Sequence, residues 1–264
     1  MPELPEVETV VRSIAPLTGQ RILTAEFRNL RILRGGHPDA LSARLQGRRI
    51  LAVRRYGKFI VASLEGGGYL TIHLGMTGRL LLGGTFGKHT HAIFTFDRAT
   101  LLFDDSRQFG SIEFTEEFPP RVARLGPEPL EIPFDQFAAA LRRHQTRIKS
   151  LLLDQTFLRG VGNIYADEAL FRAGIHPLAL AQRIRRDRAR RLFDAIAAVL
   201  TEAIAAGGSS ISDYVDAEGR KGFFQISHRV YQRTGEPCTS CGTPVRRVTV
   251  TGRSSHFCPR CQKR

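Results

Sequence analysis

Apolar positions along the chain follow two rhythms. Between residues 21 and 114 they come as short runs, among them Ile50-Leu51-Ala52-Val53, Phe59-Ile60-Val61-Ala62, Tyr69-Leu70-Thr71-Ile72 and Ala92-Ile93-Phe94-Thr95-Phe96. Gly66-Gly67-Gly68 and Gly83-Gly84 separate runs as turns do, so the pattern predicts an antiparallel β-sandwich or barrel. Ahead of it Pro5 opens a helix with Glu6 and Glu8 in its first turns, and Val7, Val10, Val11 and Ile14 fall on one face. Pro127, Pro129 and Pro133 mark residues 126–133 as a linker. The rhythm then turns helical over 134–144, 147–153, 163–173 and 187–206, the last stopped by Gly207-Gly208. Residues 207–225, rich in Gly, Ser and Asp, read as a mobile loop, and 226–264 form a short basic tail holding every cysteine.

This organisation predicts an α+β chain of two domains. The first, residues 2–125, is an antiparallel β-sandwich with an N-terminal helix, and the second, 134–225, is helical and includes the loop 207–225. A small module, 226–264, closes the chain. At 264 residues each part can bury a core. No apolar run approaches the ~20 residues of a membrane span, and the acidic, proline-broken start does not read as a signal peptide. A cytoplasmic monomer is expected. The formal charge is +14, and it is uneven. Residues 220–264 carry ten basic side chains against one acid, Glu236. Such a balance predicts a polyanionic partner, with nucleic acid ahead of an anionic membrane surface. Only five of the cations are lysines, so the arginine excess carries no functional weight of its own.

The cysteines say more. Cys238 and Cys241 are two residues apart, as are Cys258 and Cys261, with sixteen residues between the pairs. That spacing predicts four thiolates around one tetrahedral Zn2+, with a β-hairpin between the knuckles. Two disulfides are the alternative, and reduced thiols in the cytoplasm disfavour them. A closed four-cysteine site folds a module and leaves no open position for chemistry. Arg246, Arg247 and Arg253 lie on the implied hairpin, within reach of phosphates.

Six colinear motifs then carry a resemblance. They are Pro2-Glu3-Leu4-Pro5-Glu6-Val7-Glu8-Thr9, His73-Leu74-Gly75-Met76-Thr77-Gly78, Asp105-Ser106-Arg107-Gln108-Phe109-Gly110, Leu125-Gly126-Pro127-Glu128-Pro129-Leu130, Leu152-Leu153-Asp154-Gln155, and the run from Gly160 to Glu168. With the cysteine module, the chain resembles the formamidopyrimidine-DNA glycosylase family over nearly its whole length. Leu4 leans away from the sibling endonuclease VIII group, which usually has glycine there. The resemblance implies a helix–two-turn–helix domain over 134–225 with its turn and second helix at 160–168, duplex DNA with oxidised bases or abasic sites as partner, and the C-terminal module as a zinc finger.

Chemistry can be argued position by position. Removal of Met1 leaves Pro2 as a terminal secondary amine, and an α-amino pKa of roughly 8 keeps much of it nucleophilic near neutrality. Attack on a sugar C1′ expels the base and leaves an iminium; the resemblance implies this role for Pro2. It implies proton transfer for Glu3, β-elimination chemistry for Lys58, and a place in the catalytic set for Arg253. Glu6, one turn on, is secondary, because macrodipole complementarity already accounts for it.

Recognition needs the damaged nucleotide out of the stack, with the gap held open by inserted side chains. The resemblance makes Met76, Arg107 and Phe109 that triad, with Arg107 facing the opposite cytosine. It also places His89 on DNA. Asn163 at a helix N-terminus and Lys149 on the preceding helix are expected phosphate contacts. Gln108, Thr90, Gln145 and Ser254-Ser255 depart from residues frequent in the family. The expected activity is a bifunctional DNA glycosylase and abasic-site lyase for oxidised purines, cleaving by β,δ-elimination. The alternatives are an endonuclease VIII-like enzyme for oxidised pyrimidines and a non-catalytic zinc DNA-binding protein.

Overall fold

The computed structural model describes residues 1–211 and 214–264, and its contacts divide into two compact units. Met1–Arg124 and Ala206–Gln225 form the first, Leu125–Ala205 and Ile226–Arg264 the second.

In the first unit, α1 (Leu4–Ser13) begins with Pro5 in its first turn. Its apolar stripe of Val7, Val10, Val11 and Ile14 is buried, as the i, i+3, i+4, i+7 spacing requires. The chain continues through β1 (Ile22–Phe27), β2 (Leu33–Arg34) and α2 (Pro38–Leu45). The strands β3 (Ile50–Tyr56), β4 (Phe59–Leu64), β5 (Tyr69–His73), β6 (Arg79–Leu82), β7 (Thr90–Phe96), β8 (Thr100–Asp104) and β9 (Ser111–Thr115) follow, then the short α3 (Pro120–Ala123). A four-stranded sheet runs β1-β7-β8-β6 and a five-stranded sheet β2-β9-β5-β4-β3. Phe94, Phe96 and Phe103 of the first share one buried cluster with Ile60, Ile72 and Ile112 of the second. The sandwich expectation therefore holds, with two differences. Residues 38–45 are helical inside the β region, because Pro38 and Asp39 start a turn that buries Leu41 and Leu45. The pairing of β2 with β9 is parallel.

Residues 207–225 are expected from the sequence as a mobile loop of the helical domain. They pack in the first unit instead, where Tyr214 and Ala217 join the buried cluster. The Ala217 carbonyl accepts from Leu82 N at 2.8 Å, and its N–H donates to Ser13 Oγ at 3.2 Å. Ser212 and Asp213 lie outside the described residues.

The second unit holds α4 (Phe134–Arg143), α5 (Ile148–Leu153), α6 (Asn163–Arg172) and α7 (Arg186–Ala205), followed by the hairpin β10 (Arg246–Val250) and β11 (Arg253–Phe257). Residues 126–133 do not behave as a free linker. Gly126 N donates to Gln155 O at 2.9 Å, and Glu128, 5% exposed, takes Arg159 Nε at 2.8 Å. A Cβ on Gly126 would stand 2.4 Å from Thr156 O, so only glycine allows that approach. Among the described residues no helix is long and apolar enough to cross a membrane.

Candidate active site and nucleic-acid interface

The start of α1 is built around Glu6. Pro2 and Glu3 are buried, and Glu3 occupies the N-cap position. Its N–H donates to Glu6 Oε2 at 2.8 Å, half of a capping box. The other Glu6 oxygen accepts from Ser209 N at 2.7 Å, and Tyr214 Oη donates to the Glu6 carbonyl at 3.2 Å. Burial, then the Glu6 carboxylate, push the Tyr214 phenol above its ordinary range, so it stays a donor. Glu6 thus does more than complement the macrodipole. It fixes the backbone beside Pro2 and holds the returning segment against α1.

Lys58 lies in the two-residue turn between β3 and β4, where Gly57 adopts φ +58° and Tyr56 pairs with Phe59. Arg55, just before the turn, donates from Nε to Glu8 Oε2 at 2.8 Å and from Nη1 to Gly57 O at 3.4 Å. Burial pulls the Glu8 pKa up, yet the hydrogen bonds and charges of Arg55 and Arg12 hold it below the ordinary carboxylate value. His73, on β5, is kept neutral. Burial first, then Arg121, Lys58 and Arg34, depress its pKa to about 4, and its Nδ1 accepts from Gly75 N at 3.1 Å.

Two loops of the first unit meet at glycines. A Cβ on Gly75 would lie 2.5 Å from Gly110 N, so residues 74–78 and 105–110 touch backbone to backbone. Met76 is 40% exposed and Phe109 55%, against the usual fate of such side chains. Arg107 is exposed too, its guanidinium 4.8 Å from the Phe109 ring centre. The three expected inserted residues stand on one ridge. His89 is exposed next to it, whereas His91 is buried with Nε2 2.8 Å from Asp105 O.

In the second unit Gln155 closes the turn between α5 and α6. Its Nε2 donates to Leu153 O and Val161 O, and its Oε1 accepts from Gly160 N at 2.8 Å. Asn163 begins α6, half-buried, and its Nδ2 donates to Ser254 O at 3.0 Å. Part of its donor capacity therefore docks the hairpin. Lys149, expected as a phosphate contact, is 0% exposed, and its Nζ donates to Asp167 Oδ1 at 2.7 Å and Asn163 O at 2.8 Å, so it supports the turn. Arg253 is exposed beside the Thr251-Gly252 turn, where both residues have positive φ.

The four cysteine sulfurs lie within 4.8 Å of one another, with Cys238 and Cys261 3.9 Å apart and Cys241 and Cys258 3.5 Å apart. Tetrahedral thiolates at about 2.3 Å from zinc stand about 3.8 Å from each other, so the cage fits the ion. Ser240 N and Cys261 N point at Cys238 and Cys258 Sγ, the outer bonds that hold such knuckles. The four cysteines make one structural zinc site.

Comparison with known proteins decides the family. Residues 1–112 match the formamidopyrimidine-DNA glycosylase N-terminal domain, 125–215 the formamidopyrimidine-DNA glycosylase H2TH domain, and 235–264 the zinc finger found in FPG and IleRS. A formamidopyrimidine-DNA glycosylase of Solibacter usitatus is 79% identical over 264 residues, covering 100% of both chains. The chain belongs to the formamidopyrimidine-DNA glycosylase family. Among solved members, a Lactococcus lactis FPG mutant bound to Fapy-dG-containing DNA superimposes with a TM-score of 0.92 at 35% identity, covering 100% of each chain. MutM bound to carbocyclic 8-oxo-G-containing DNA gives the same score, identity and coverage. The motifs contain Asp105 and Gln155 without giving either a role, and they leave out Ser209 and Arg55. All four act on backbone or buried charge, which no local pattern advertises.

Proposed function

We propose that this chain excises oxidised purines, 8-oxoguanine and formamidopyrimidines, from duplex DNA and then cleaves the abasic strand. The observation that carries the reading is the buried Pro2-Glu3 terminus, locked by Glu6 at the head of α1. With Met1 removed, the Pro2 nitrogen attacks C1′ and the C1′–base bond breaks, the base leaving with a proton. Glu3 serves proton transfer as the sugar ring opens, giving an iminium between Pro2 and C1′. Loss of a C2′ proton expels the 3′ phosphate, and a second elimination expels the 5′ phosphate. Lys58 and Arg253 serve those proton transfers. Met76, Arg107 and Phe109 fill the gap left by the extruded nucleotide. His89, Asn163 and the backbone N–H groups at the head of α6 take phosphates. The zinc ion holds the hairpin in shape and takes no part in bond making.

The deciding experiment compares excision from an 8-oxoguanine:cytosine duplex with excision from a thymine-glycol duplex. Faster processing of 8-oxoguanine supports the reading; preference for thymine glycol replaces it with oxidised-pyrimidine repair.

A further inference from the structure

The wedge ridge raises a question that its exposed side chains do not answer. Met76, Arg107 and Phe109 sit on two loops separated in sequence by the three strands β6, β7 and β8, and inserting them into a base stack needs all three held in one geometry. A single buried carboxylate does this. Asp105 is 1% exposed. Its Oδ1 accepts from Thr77 Oγ1 at 2.6 Å and from Arg107 N at 3.2 Å, and its Oδ2 accepts from Gly110 N at 2.7 Å. Thr77 follows Met76 and Gly110 follows Phe109, so each bond fixes the neighbour of a wedge residue. The Asp105 backbone extends the same hub. Its N–H donates to His89 O at 2.9 Å, and its carbonyl accepts from His91 Nε2 at 2.8 Å.

Every partner of the carboxylate is a donor, and the two oxygens face in different directions. An amide in its place would aim its own N–H at one of these donors. The buried charge is offset by three hydrogen bonds, which makes the clasp strong and its loss costly. Gln108, between Arg107 and Phe109, adopts φ +57°, a left-handed conformation that holds only where the surroundings impose it.

We propose that Asp105, through Thr77, is the positioning residue that presets Met76, Arg107 and Phe109 as one rigid wedge, so that duplex opening and reading of the opposite base depend on it. The inference rests on the wedge role proposed for those three residues and extends it to the two groups that hold their loops.

Thr77→Val keeps the shape and removes one bond, Thr77→Ser keeps the bond, Asp105→Asn breaks the carboxylate pattern, and Arg107→Ala is the reference. Single-turnover cleavage is measured on 8-oxoguanine opposite cytosine, on 8-oxoguanine opposite adenine, and on a preformed abasic site in single-stranded DNA. A 2-aminopurine beside the lesion reports unstacking. Thermal unfolding confirms that each variant is folded. Thr77→Val and Asp105→Asn are expected to slow the cytosine duplex about tenfold, equivalent to about 1.4 kcal/mol, and to slow the 2-aminopurine rise equally. They should narrow the cytosine-to-adenine ratio and change the single-strand reaction less than twofold, with Thr77→Ser near wild type. If Thr77→Val is folded and loses the same factor on all three substrates, or keeps the wild-type ratio while Arg107→Ala narrows it, the positioning role is overturned. An unchanged ratio in Arg107→Ala itself removes the wedge reading, and this inference with it.

Discussion

Lys149 Nζ stands 2.7 Å from Asp167 Oδ1, and neither side chain is exposed. The second Asp167 oxygen accepts from His256 N at 2.9 Å and lies 3.0 Å from His256 Nδ1. One carboxylate therefore joins α5, α6 and β11, and Asn163 adds its bond to Ser254 O beside it. The cation that looks like a phosphate contact in sequence is the fastening between the turn and the zinc hairpin.

Breaking that pair leaves Asp167 buried without its lysine partner. Lys149→Ala is expected to cost about 3–5 kcal/mol of stability, read as a lowered unfolding midpoint in denaturant. Arg253→Ala should behave in the opposite way. Exposed at the hairpin tip, it should leave stability within about 0.5 kcal/mol of wild type. The salt slope of log binding constant for duplex DNA should then become shallower by about 0.9, as for one lost phosphate contact. A stable Lys149→Ala protein with that same shallower slope contradicts the assignment.

His73 predicts a pH dependence with a definite sign. Its folded pKa of about 4 lies below the ordinary 6.5. Between those values the unfolded chain binds a proton that the folded chain does not. Stability therefore rises with pH from about 4 to 6.5 and is lost as pH falls through that window, by up to about 1.4 kcal/mol per unit. Unfolding measured across pH 4–7 should show a shallower slope for His73→Asn than for wild type. Parallel curves are the contrary result.

Much of the architecture is legible along the chain because period and burial agree. The stripe Val7, Val10, Val11, Ile14 gives α1, and the glycine-punctuated apolar runs give the sandwich strands. The cysteine spacing gives the zinc cage outright, since two-residue knuckles constrain sulfur positions locally. What the chain conceals is long-range. Nothing near Ser209 shows that its N–H meets Glu6 203 positions away, so the segment 207–225 looks free. Lys149 reads as a surface cation because its buried partner, Asp167, is 18 residues on. Asp105 belongs to a recognisable motif, yet its work falls on backbone N–H groups, which leave no trace in residue type. Residues 126–133 look like a linker because proline is common in linkers; here Glu128 and Gly126 seat them on the second unit.

Zinc removal should separate the two units. Chelation, or Cys258→Ser, is expected to unfold the β10–β11 hairpin and abolish duplex binding while the first unit keeps its β signature, followed by far-ultraviolet circular dichroism and metal analysis. One zinc per active chain is the expected stoichiometry. Full DNA affinity in metal-free protein would contradict the structural role.

The central claim is that the amine of Pro2 makes the covalent bond to the sugar. Borohydride reduction of the enzyme on an abasic duplex traps the iminium as a stable amine, and mass spectrometry of the digested complex locates the cross-link. Attachment at Pro2 is expected in protein lacking Met1, and no trapping when an N-terminal tag converts that nitrogen to an amide. A cross-link on Lys58, with Pro2→Gly fully active in base excision, contradicts it.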